Sequence, residues 1–140
     1  MVVQRTFAFI KPDAVERNLI GKIIGRFEEE GLKVVALRMI RMTRSQAEKL
    51  YSVHVGKPFY QELVDYVTSG PVVLMVLEGE EAVKRVREII GATNPREAAP
   101  GTIRAEYGLD VTRNSIHAAD SLENAVREMM IFFTPDDLVG

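Results

Sequence analysis

Residues 112–121 read Thr-Arg-Asn-Ser-Ile-His-Ala-Ala-Asp-Ser and contain His117, one of two histidines in the chain. An imidazole with an ordinary pKa near 6.5 is largely neutral at pH 7, so its lone pair can attack without a separate base. Attack on phosphorus would give a phosphoramidate, which is reactive enough to pass the phosphoryl group onward. We therefore predict that His117 is a nucleophile. The alternative is a histidine that satisfies a hydrogen bond in a loop or in the core.

A helix is predicted to begin directly behind this histidine. Asp120 and Glu123 have the spacing of a capping box, and the apolar residues that follow recur at helical intervals. A helix N-terminus carries partial positive charge and unpaired N–H groups, which favour a phosphoryl group nearby. The surroundings of His117 are therefore suited to phosphate, with Asp120 as the expected helix cap.

The composition predicts one globular domain, residues 1–140, with 46% hydrophobic and 27% charged residues. A net charge of −2 argues against a protein that coats nucleic acid, but it leaves room for a local basic pocket that binds a small polyanion. The absence of cysteine excludes disulfides, zinc thiolate sites and thiol catalysis. Without a signal pattern or a long apolar run, we expect a cytoplasmic protein that binds no membrane.

Apolar segments predict the strands and helices of the remaining chain. Strands are predicted at 3–10, 33–42, 72–77 and 131–133. Helices are predicted at 20–30, 43–51, 59–68 and 80–90, and from 120 onward. The stretch 92–114 is predicted to be a long irregular loop, and its length favours a function. The alternation indicates an α/β or α+β sandwich, a sheet covered by helices, with no strand order implied.

Side chains must supply the positive charge that a phosphoryl-transfer site requires, because the chain has no G-x-x-x-x-G-K-[ST] loop. Lys11 follows the first strand and precedes a proline, and Asp13 with Glu16 can cap a short helical turn there. Arg87 lies one turn before the end of its helix, where a surface role is the alternative. Arg104 lies in the long loop and has less structural reason to be there. Two guanidiniums offer forked donors to a diphosphate.

Other side chains could line the same site, and each has an ordinary structural alternative. Thr93 could simply stabilise a proline turn, and Tyr51 could be a half-buried core residue. Phe59 stands at a helix start, where a single phenylalanine is more often core. Glu128 lies seven residues after Ser121 on the same flank of the helix, so its side chain leans toward His117 unless it is plain surface.

Residues 113–121 resemble the active-site signature of nucleoside diphosphate kinases, Asn-x-x-His-[Gly/Ala]-Ser-Asp-Ser, except that Ala119 replaces the usual serine. The segments Ile-Lys-Pro-Asp and Lys-Pro-Phe-Tyr match further motifs of this family, and the resemblance runs from Arg5 to Leu138. It implies a ferredoxin-like βαββαβ sandwich. In that fold a four-stranded antiparallel sheet is covered by helices, here with added helices and a long loop.

The resemblance also implies an activity, the reversible ping-pong transfer of the γ-phosphoryl group of ATP or another nucleoside triphosphate to a nucleoside diphosphate. The group would pass through a phosphohistidine at His117, with Glu128 orienting the imidazole. The implied nucleotide-binding residues are Lys11, Phe59, Arg87, Thr93, Arg104 and Asn114, and the implied secondary contacts are Tyr51, His54 and Val111. Phe59 would stack on the base, which gives broad base specificity because every base has a π-face.

No cluster of His, Asp and Glu in the sequence offers a dedicated metal site, so Mg²⁺ would arrive on the nucleotide phosphates. The family forms hexamers, less often tetramers, built from dimers, and we expect a homo-oligomer here that needs no nucleic acid. The hydroxyl absent at Ala119 removes one hydrogen bond, worth about 1 kcal/mol, so we expect slower turnover or altered positioning rather than an inert protein.

Two other classes of function are consistent with parts of the sequence. A non-catalytic nucleotide-binding module would keep Phe59 and Arg104 but have no use for His117, and Ala119 is the feature that favours it. A scaffold or nucleic-acid-binding protein would need a basic face, which the charge balance does not suggest.

Overall fold

A four-stranded antiparallel sheet forms the centre of the computed structural model, which describes residues 2–140. Its strands are β1 (Val3–Ile10), β2 (Lys33–Ile40), β3 (Val72–Glu80) and β4 (Ile116–Ala118). The spatial order is β2-β3-β1-β4, so β1 and β3 are the interior strands. The continuous apolar run 72–77 is buried along its whole length, as expected for a strand covered on both faces.

Seven α-helices connect and cover the strands within the described residues 2–140. They are α1 (Pro12–Glu16), α2 (Ile20–Glu29), α3 (Arg44–Leu50), α4 (Tyr60–Val67), α5 (Ala82–Ile90), α6 (Ile103–Tyr107) and α7 (Leu122–Phe132). The series β1-α2-β2-β3-α5-β4 is the predicted ferredoxin-like frame, to which α1, α3, α4, α6 and α7 are added. The predicted fold class is therefore confirmed. Across residues 2–140, none of the helices combines the length and apolar character needed to span a bilayer.

The sheet separates two hydrophobic cores, because side chains alternate between its faces along each strand. The face toward α3, α4 and α7 buries Phe7, Phe9, Leu50, Val64, Ala125 and Met129. The face toward α2 and α5 buries Ala8, Ile10, Ile23, Phe27 and Val86. In β4, His117 lies opposite Phe9 of β1 and so projects toward the first of these cores.

The predicted fourth strand at 131–133 is wrong. Ile131 and Phe132 form the last turn of α7, and Phe133 is its C-cap residue. Phe132 and Phe133 pack in the same core as Met129, so their burial continues the apolar face of a helix. The fourth strand is instead β4, and its three residues are too few to show an alternating pattern.

Three boundaries also differ from the sequence-based expectation. Strand β3 continues to Glu80, so the following helix starts at Ala82. The loop 92–114 contains helix α6, which Thr102 caps by accepting from the Ala105 N–H at 3.3 Å. Helix α7 is capped by Ser121 rather than Asp120.

The predicted capping role of Asp13 is wrong as well. Helix α1 has Lys11 as its N-cap residue and no side-chain cap, and the Asp13 side chain is buried. Its carboxylate accepts from the Ser115 N–H at 3.1 Å and from the Tyr66 hydroxyl at 2.7 Å. The short helix is thereby fixed to two distant parts of the chain.

Candidate active site

A cleft of about 420 Å³ opens beside β4, between the α3–α4 segment and the long loop. Its walls include all eleven side chains that the sequence predicted for the site: Lys11, Tyr51, His54, Phe59, Arg87, Thr93, Arg104, Val111, Asn114, His117 and Glu128. The fold therefore gathers residues that are up to 117 positions apart in the numbering into one concave surface.

Other lining residues were not predicted for this site. Thr112, Asp120 and Asn124 supply further polar groups, and Leu50, Val53, Leu63 and Ala118 supply apolar wall. Asp120 and Asn124 are four residues apart and joined by a 2.7 Å hydrogen bond. The sequence feature that could have pointed to these two residues was their i, i+4 spacing at the start of a predicted helix. That spacing indicated only a helix cap and not a place in the cleft.

The His117 ring is held by aromatic side chains. It stacks on Phe9 with ring centroids 5.0 Å apart and meets Tyr51 edge-on at 6.0 Å. About a fifth of its side chain, 19%, is exposed to the cleft. The ring is therefore restricted in rotation and still accessible to a ligand.

Glu128 of α7 fixes which ring nitrogen of His117 is available. Its Oε1 lies 2.7 Å from His117 Nε2, and its side chain is only 6% exposed. A carboxylate can only accept, so Nε2 carries the proton and Nδ1 keeps the lone pair. The second carboxylate oxygen lies 3.5 Å from Nη2 of Arg127. This pairing leaves one nitrogen of His117 free to act as a nucleophile.

Two guanidiniums are anchored on the outer edge of β4. Ser115 O accepts from the Lys11 N–H just beyond the end of β1, and the Ala119 N–H donates to Phe7 O of β1. The carbonyls of the alternate residues Ile116 and Ala118 therefore point away from the sheet. Arg104 donates to Ile116 O at 2.8 Å and to Gly91 O at 3.0 Å, while Arg87 donates to Ala118 O at 3.2 Å. These contacts bring both cations to the cleft beside His117.

The pKa of Arg104 is lowered to about 10 by burial and by the charge of Arg87, so Arg104 remains charged at neutral pH. Lys11 lies where β1 ends, and its ammonium donates to Thr112 O at 3.1 Å. Burial, together with the nearby charge of Arg104, lowers the pKa of Lys11 to about 7. The negative charges of Asp13 and Asp110 act in the opposite direction. Accumulated cations and few anions make this cleft a site for an anionic ligand.

The mouth of the cleft is aromatic on one side. Phe59 precedes α4 and is 43% exposed, and the His54 ring meets it edge-on at 5.1 Å. The pKa of His54 is lowered by partial burial and by the charge of Lys57, so its ring is neutral at pH 7. Val111 in the long loop is 55% exposed. A flat ligand could lie between Phe59 and Val111.

Asn114 ties the long loop together behind the mouth. Its Nδ2 donates to Thr93 O at 2.9 Å and to Val111 O at 3.2 Å. Three buried polar atoms that line the cleft have no partner among the described residues: Asn114 Oδ1, Arg104 Nε and Tyr51 OH. Burial raises the pKa of the Tyr51 hydroxyl, which keeps it a neutral donor. Because buried polar groups are usually hydrogen-bonded, these atoms indicate a polar ligand.

Within residues 2–140, no group of three or more His, Cys, Asp or Glu side chains could hold a metal ion. Asp120 is the carboxylate at the rim of the cleft, and its hydrogen bond from Asn124 lowers its pKa. A divalent ion such as Mg²⁺ is commonly held by one or two carboxylates together with substrate phosphates. The cleft suits an ion that enters on a phosphorylated ligand.

The fold and the cleft together define a class of protein, the α+β phosphotransferases, in which a sheet presents a reactive side chain to a phosphorylated ligand. Comparison with known families gives the particular family. The model of the nucleoside diphosphate kinase family matches residues 4–138. The chain therefore belongs to the nucleoside diphosphate kinase family, and the predicted family and enzyme class are confirmed.

Individual relatives agree with this assignment. The chain is 59% identical over 138 residues to a nucleoside diphosphate kinase of Saccharolobus solfataricus, covering 99% of this chain and 100% of the relative. It is 56% identical over 138 residues to that of Archaeoglobus fulgidus, covering 99% and 91%.

Solved structures also match along the whole chain. The nucleoside diphosphate kinase of Aquifex aeolicus superposes with a TM-score of 0.97 at 50% identity, covering 99% of this chain and 100% of that one. The halophilic enzyme of Halobacterium salinarum, solved in complex with CDP, superposes with a TM-score of 0.95 at 45% identity, covering 99% and 93%.

Proposed function

We propose that the chain transfers the γ-phosphoryl group of a nucleoside triphosphate, such as ATP, to a nucleoside diphosphate through a phosphohistidine at His117. The observation that carries this proposal is the 2.7 Å contact between His117 Nε2 and Glu128, which leaves Nδ1 with a lone pair inside a cationic cleft. Membership of the nucleoside diphosphate kinase family supports the same reaction.

In the first half-reaction, the lone pair of His117 Nδ1 attacks the γ-phosphorus. An N–P bond forms, and the bond to the oxygen between the β- and γ-phosphorus breaks, so the diphosphate leaves with the electron pair. Positive charge that develops on the ring is stabilised by Glu128, which holds the Nε2 proton. A terminal phosphate oxygen of a second diphosphate then attacks the same phosphorus from the same cleft, so an O–P bond forms and the N–P bond breaks with its electron pair returning to His117 Nδ1. Because the first diphosphate leaves before the second binds, the kinetics are ping-pong.

The other cleft residues would bind the nucleotide. Lys11, Arg87 and Arg104 supply positive charge for phosphate oxygens, and the hydroxyls of Thr93 and Tyr51 and the ring of His54 supply hydrogen bonds. Asn114 has a free buried oxygen suited to a sugar hydroxyl. Phe59 and Val111 contact the base through its faces, so the site should accept purines and pyrimidines alike. The CDP bound to the Halobacterium salinarum protein supports a diphosphate as ligand.

Kinases of this family generally use a divalent cation, and we propose Mg²⁺ carried on the nucleotide phosphates. Such an ion neutralises phosphate charge when it is bound. The Asp120 carboxylate at the rim, kept ionised by its hydrogen bond from Asn124, is the protein group that would approach it.

The proposal treats residues 1–140 as one domain, in which both hydrophobic cores share a single sheet. A homo-oligomer built from dimers, a hexamer or a tetramer, is supported by the edge of β2, which is open beyond Val35, where the carbonyl accepts from the Val139 N–H at 2.9 Å. In that open part Leu37 and Met39 are 52% and 57% exposed. We place the activity in the cytoplasm, with nucleotides as the partners and with no requirement for nucleic acid or membrane.

The proposal is tested by incubating the protein with γ-labelled ATP and measuring protein-bound label that survives alkali but not acid. Wild type and His54→Ala should carry the label, and His117→Ala should not. His54→Ala is the matched control, because His54 is the other histidine in the chain and lines the same cleft. Label that leaves the protein when CDP is added identifies the second half-reaction.

A wild type that binds ADP but takes no acid-labile label would contradict the proposal and favour a non-catalytic nucleotide-binding module. The same conclusion follows if His117→Ala is labelled as strongly as wild type. Slow but complete labelling of wild type agrees with the proposal, because Ala119 lacks the hydroxyl that relatives usually offer near the carboxylate.

A further inference from the structure

Ser115, two residues before His117, has a left-handed backbone with φ of 79°. The other non-glycine residues with positive φ among the described residues, Asn18 and Glu81, are exposed next to helix ends, whereas Ser115 is completely buried. A left-handed conformation is unfavourable for serine and persists only where the surroundings impose it. Something must therefore hold the backbone at Ser115.

The segment that follows β1 holds both backbone groups of Ser115. Asp13 Oδ2 accepts from the Ser115 N–H at 3.1 Å, and the Lys11 N–H donates to Ser115 O at 2.9 Å. Asp13 is only 6% exposed, so this is a charge-assisted hydrogen bond shielded from water. The residues before and after Ser115, Asn114 and Ile116, are set by the same contacts.

Tyr66 of α4 fixes the other oxygen of Asp13. Its hydroxyl donates to Oδ1 at 2.7 Å and accepts from the Asp13 N–H at 2.8 Å. Arg17 Nη2 lies 3.3 Å from Oδ2 and balances the charge. Because α4 begins directly after Phe59, one carboxylate connects the segments that carry Lys11, His117 and Phe59.

We propose that Asp13 is a positioning residue that holds the left-handed backbone at Ser115 and so sets His117 and Asn114 relative to Lys11 and Phe59. The inference rests on the proposed function of His117 and assigns no contact between Asp13 and the nucleotide. It gives a role in the site to a residue that the sequence indicated only as a helix cap.

Asp13 also acts on Lys11 through its charge. The charges that face Lys11 are those of Arg104, Asp13 and Asp110. Asp13 faces the charges of Arg17 and, at longer range, Arg113, together with the neutral hydroxyl of Tyr66. Neutralising Asp13 removes one of the two negative charges that help Lys11 to keep its proton. The pH at which diphosphate binding weakens should therefore move to a lower value.

The test uses Asp13→Asn, Tyr66→Phe, Ser115→Gly and the double variant Asp13→Asn/Ser115→Gly. We expect Asp13→Asn to lower kcat about 10- to 100-fold per folded molecule, the usual worth of a hydrogen bond to a charged group. Glycine adopts positive φ without strain, and the Ser115 hydroxyl has no partner to lose. Ser115→Gly alone should therefore keep kcat within about 2-fold, and in the double variant it should recover most of the loss.

Two further readouts separate positioning from stability. The pH at which half of the ADP binding is lost should be lower in Asp13→Asn than in wild type. It should stay unchanged in Tyr66→Phe, because that variant keeps the charge of Asp13. Tyr66→Phe should lower kcat by a few-fold. If Asp13→Asn fails to fold, the same test is made with Tyr66→Phe and with the double variant Tyr66→Phe/Ser115→Gly, in which the lost kcat should be recovered.

The proposal is overturned if Asp13→Asn keeps the wild-type kcat, or if its loss of activity is explained by a smaller folded fraction. It is also overturned if the double variant Asp13→Asn/Ser115→Gly recovers none of the lost kcat. An unshifted binding midpoint in a folded Asp13→Asn would remove the charge effect on Lys11. Failure of the proposed function is distinguishable, because wild type itself would then take no label on His117, while the ADP-binding midpoints would still report on Asp13.

Discussion

At the scale of single residues, the pairing of His117 with Glu128 determines which ring nitrogen would react in the proposed transfer. The carboxylate comes from the buried side of α7 and the imidazole from β4, so their 2.7 Å contact depends on how helix and sheet pack. A charged partner also favours the imidazolium-like ring that forms during attack on phosphorus. In the proposed reaction, Glu128 would therefore both orient the imidazole and stabilise its developing charge.

Glu128→Gln keeps an acceptor for Nε2 but removes the charge. We expect kcat to fall about 10- to 100-fold, as for the loss of a charge-assisted hydrogen bond. KM for the diphosphate should change by less than about 2-fold, because Glu128 binds the imidazole rather than the nucleotide. Steady-state kinetics measure both constants. Glu123→Gln, an exposed glutamate on the same helix, is the control, and a rise in KM with unchanged kcat would argue against this role.

Lys11 predicts a pH dependence of nucleotide binding. Its pKa in the free protein is lowered to about 7 by burial and by Arg104, so at about pH 8.5 it is mostly neutral. A bound diphosphate favours the charged form and raises the pKa again. Binding should therefore take up close to one proton at about pH 8.5, and affinity should fall as pH rises above about 7.

Calorimetry in two buffers of different ionisation enthalpy measures this proton uptake. Lys11→Met should bind ADP more weakly and take up no proton at the same pH. Equal proton uptake by wild type and Lys11→Met would assign the proton to another group.

The residues of the site were predictable from the sequence only because several short motifs resemble one family. Periodicity alone gave each of them an ordinary alternative: Phe59 as core, Arg87 as surface, Thr93 as a turn residue. The structure places them in one cleft, yet no spacing in the sequence indicated that Arg104 and Arg87 would be anchored on carbonyls of β4. Such contacts arise from tertiary packing between segments far apart in the chain.

At the scale of elements, long periodic segments were predictable and short ones were not. The apolar stripes of α2 and α5 and the run in β3 fixed those elements to within a few residues. The two strand errors share one cause: three residues are too few to separate a strand from a helix end. β4 was missed for this reason, and residues 131–133 were assigned to a strand although they end α7.

The cap of α7 provides a test at this scale. Ser121 Oγ accepts from the Asn124 N–H at 3.1 Å, whereas Asp120 accepts from the Asn124 side chain. Ser121→Ala should lower the free energy of unfolding by about 1 kcal/mol, the usual cost of losing an N-cap. Asp120→Ala should cost less, because its carboxylate is exposed.

Urea denaturation at a fixed protein concentration measures both changes, since assembly adds to the apparent stability. Ser121→Thr, which keeps the hydroxyl, is the control. A larger cost for Asp120→Ala than for Ser121→Ala would show that the aspartate is the cap.

At the scale of the whole molecule, the proposed assembly predicts a role for the open edge of β2. Met39→Lys puts a charge on the exposed edge strand, which disfavours pairing with a second copy. We expect its molar mass in light scattering to fall below that of wild type. Val3→Lys, at a residue that is 65% exposed on interior strand β1, should leave the mass unchanged. An unaltered mass in Met39→Lys, or an equal fall in both variants, would contradict this.

The guanidiniums on β4 have a consequence for how copies of the chain can join. They occupy the outward carbonyls of one border of the sheet, so no foreign strand can add there without displacing them. Only the border formed by β2 remains available for strand pairing, so by this route a molecule can join one other copy and no more, and a larger assembly must use other surfaces. Growth into a fibre by strand addition is thereby blocked by the same two arginines that we propose to bind phosphate.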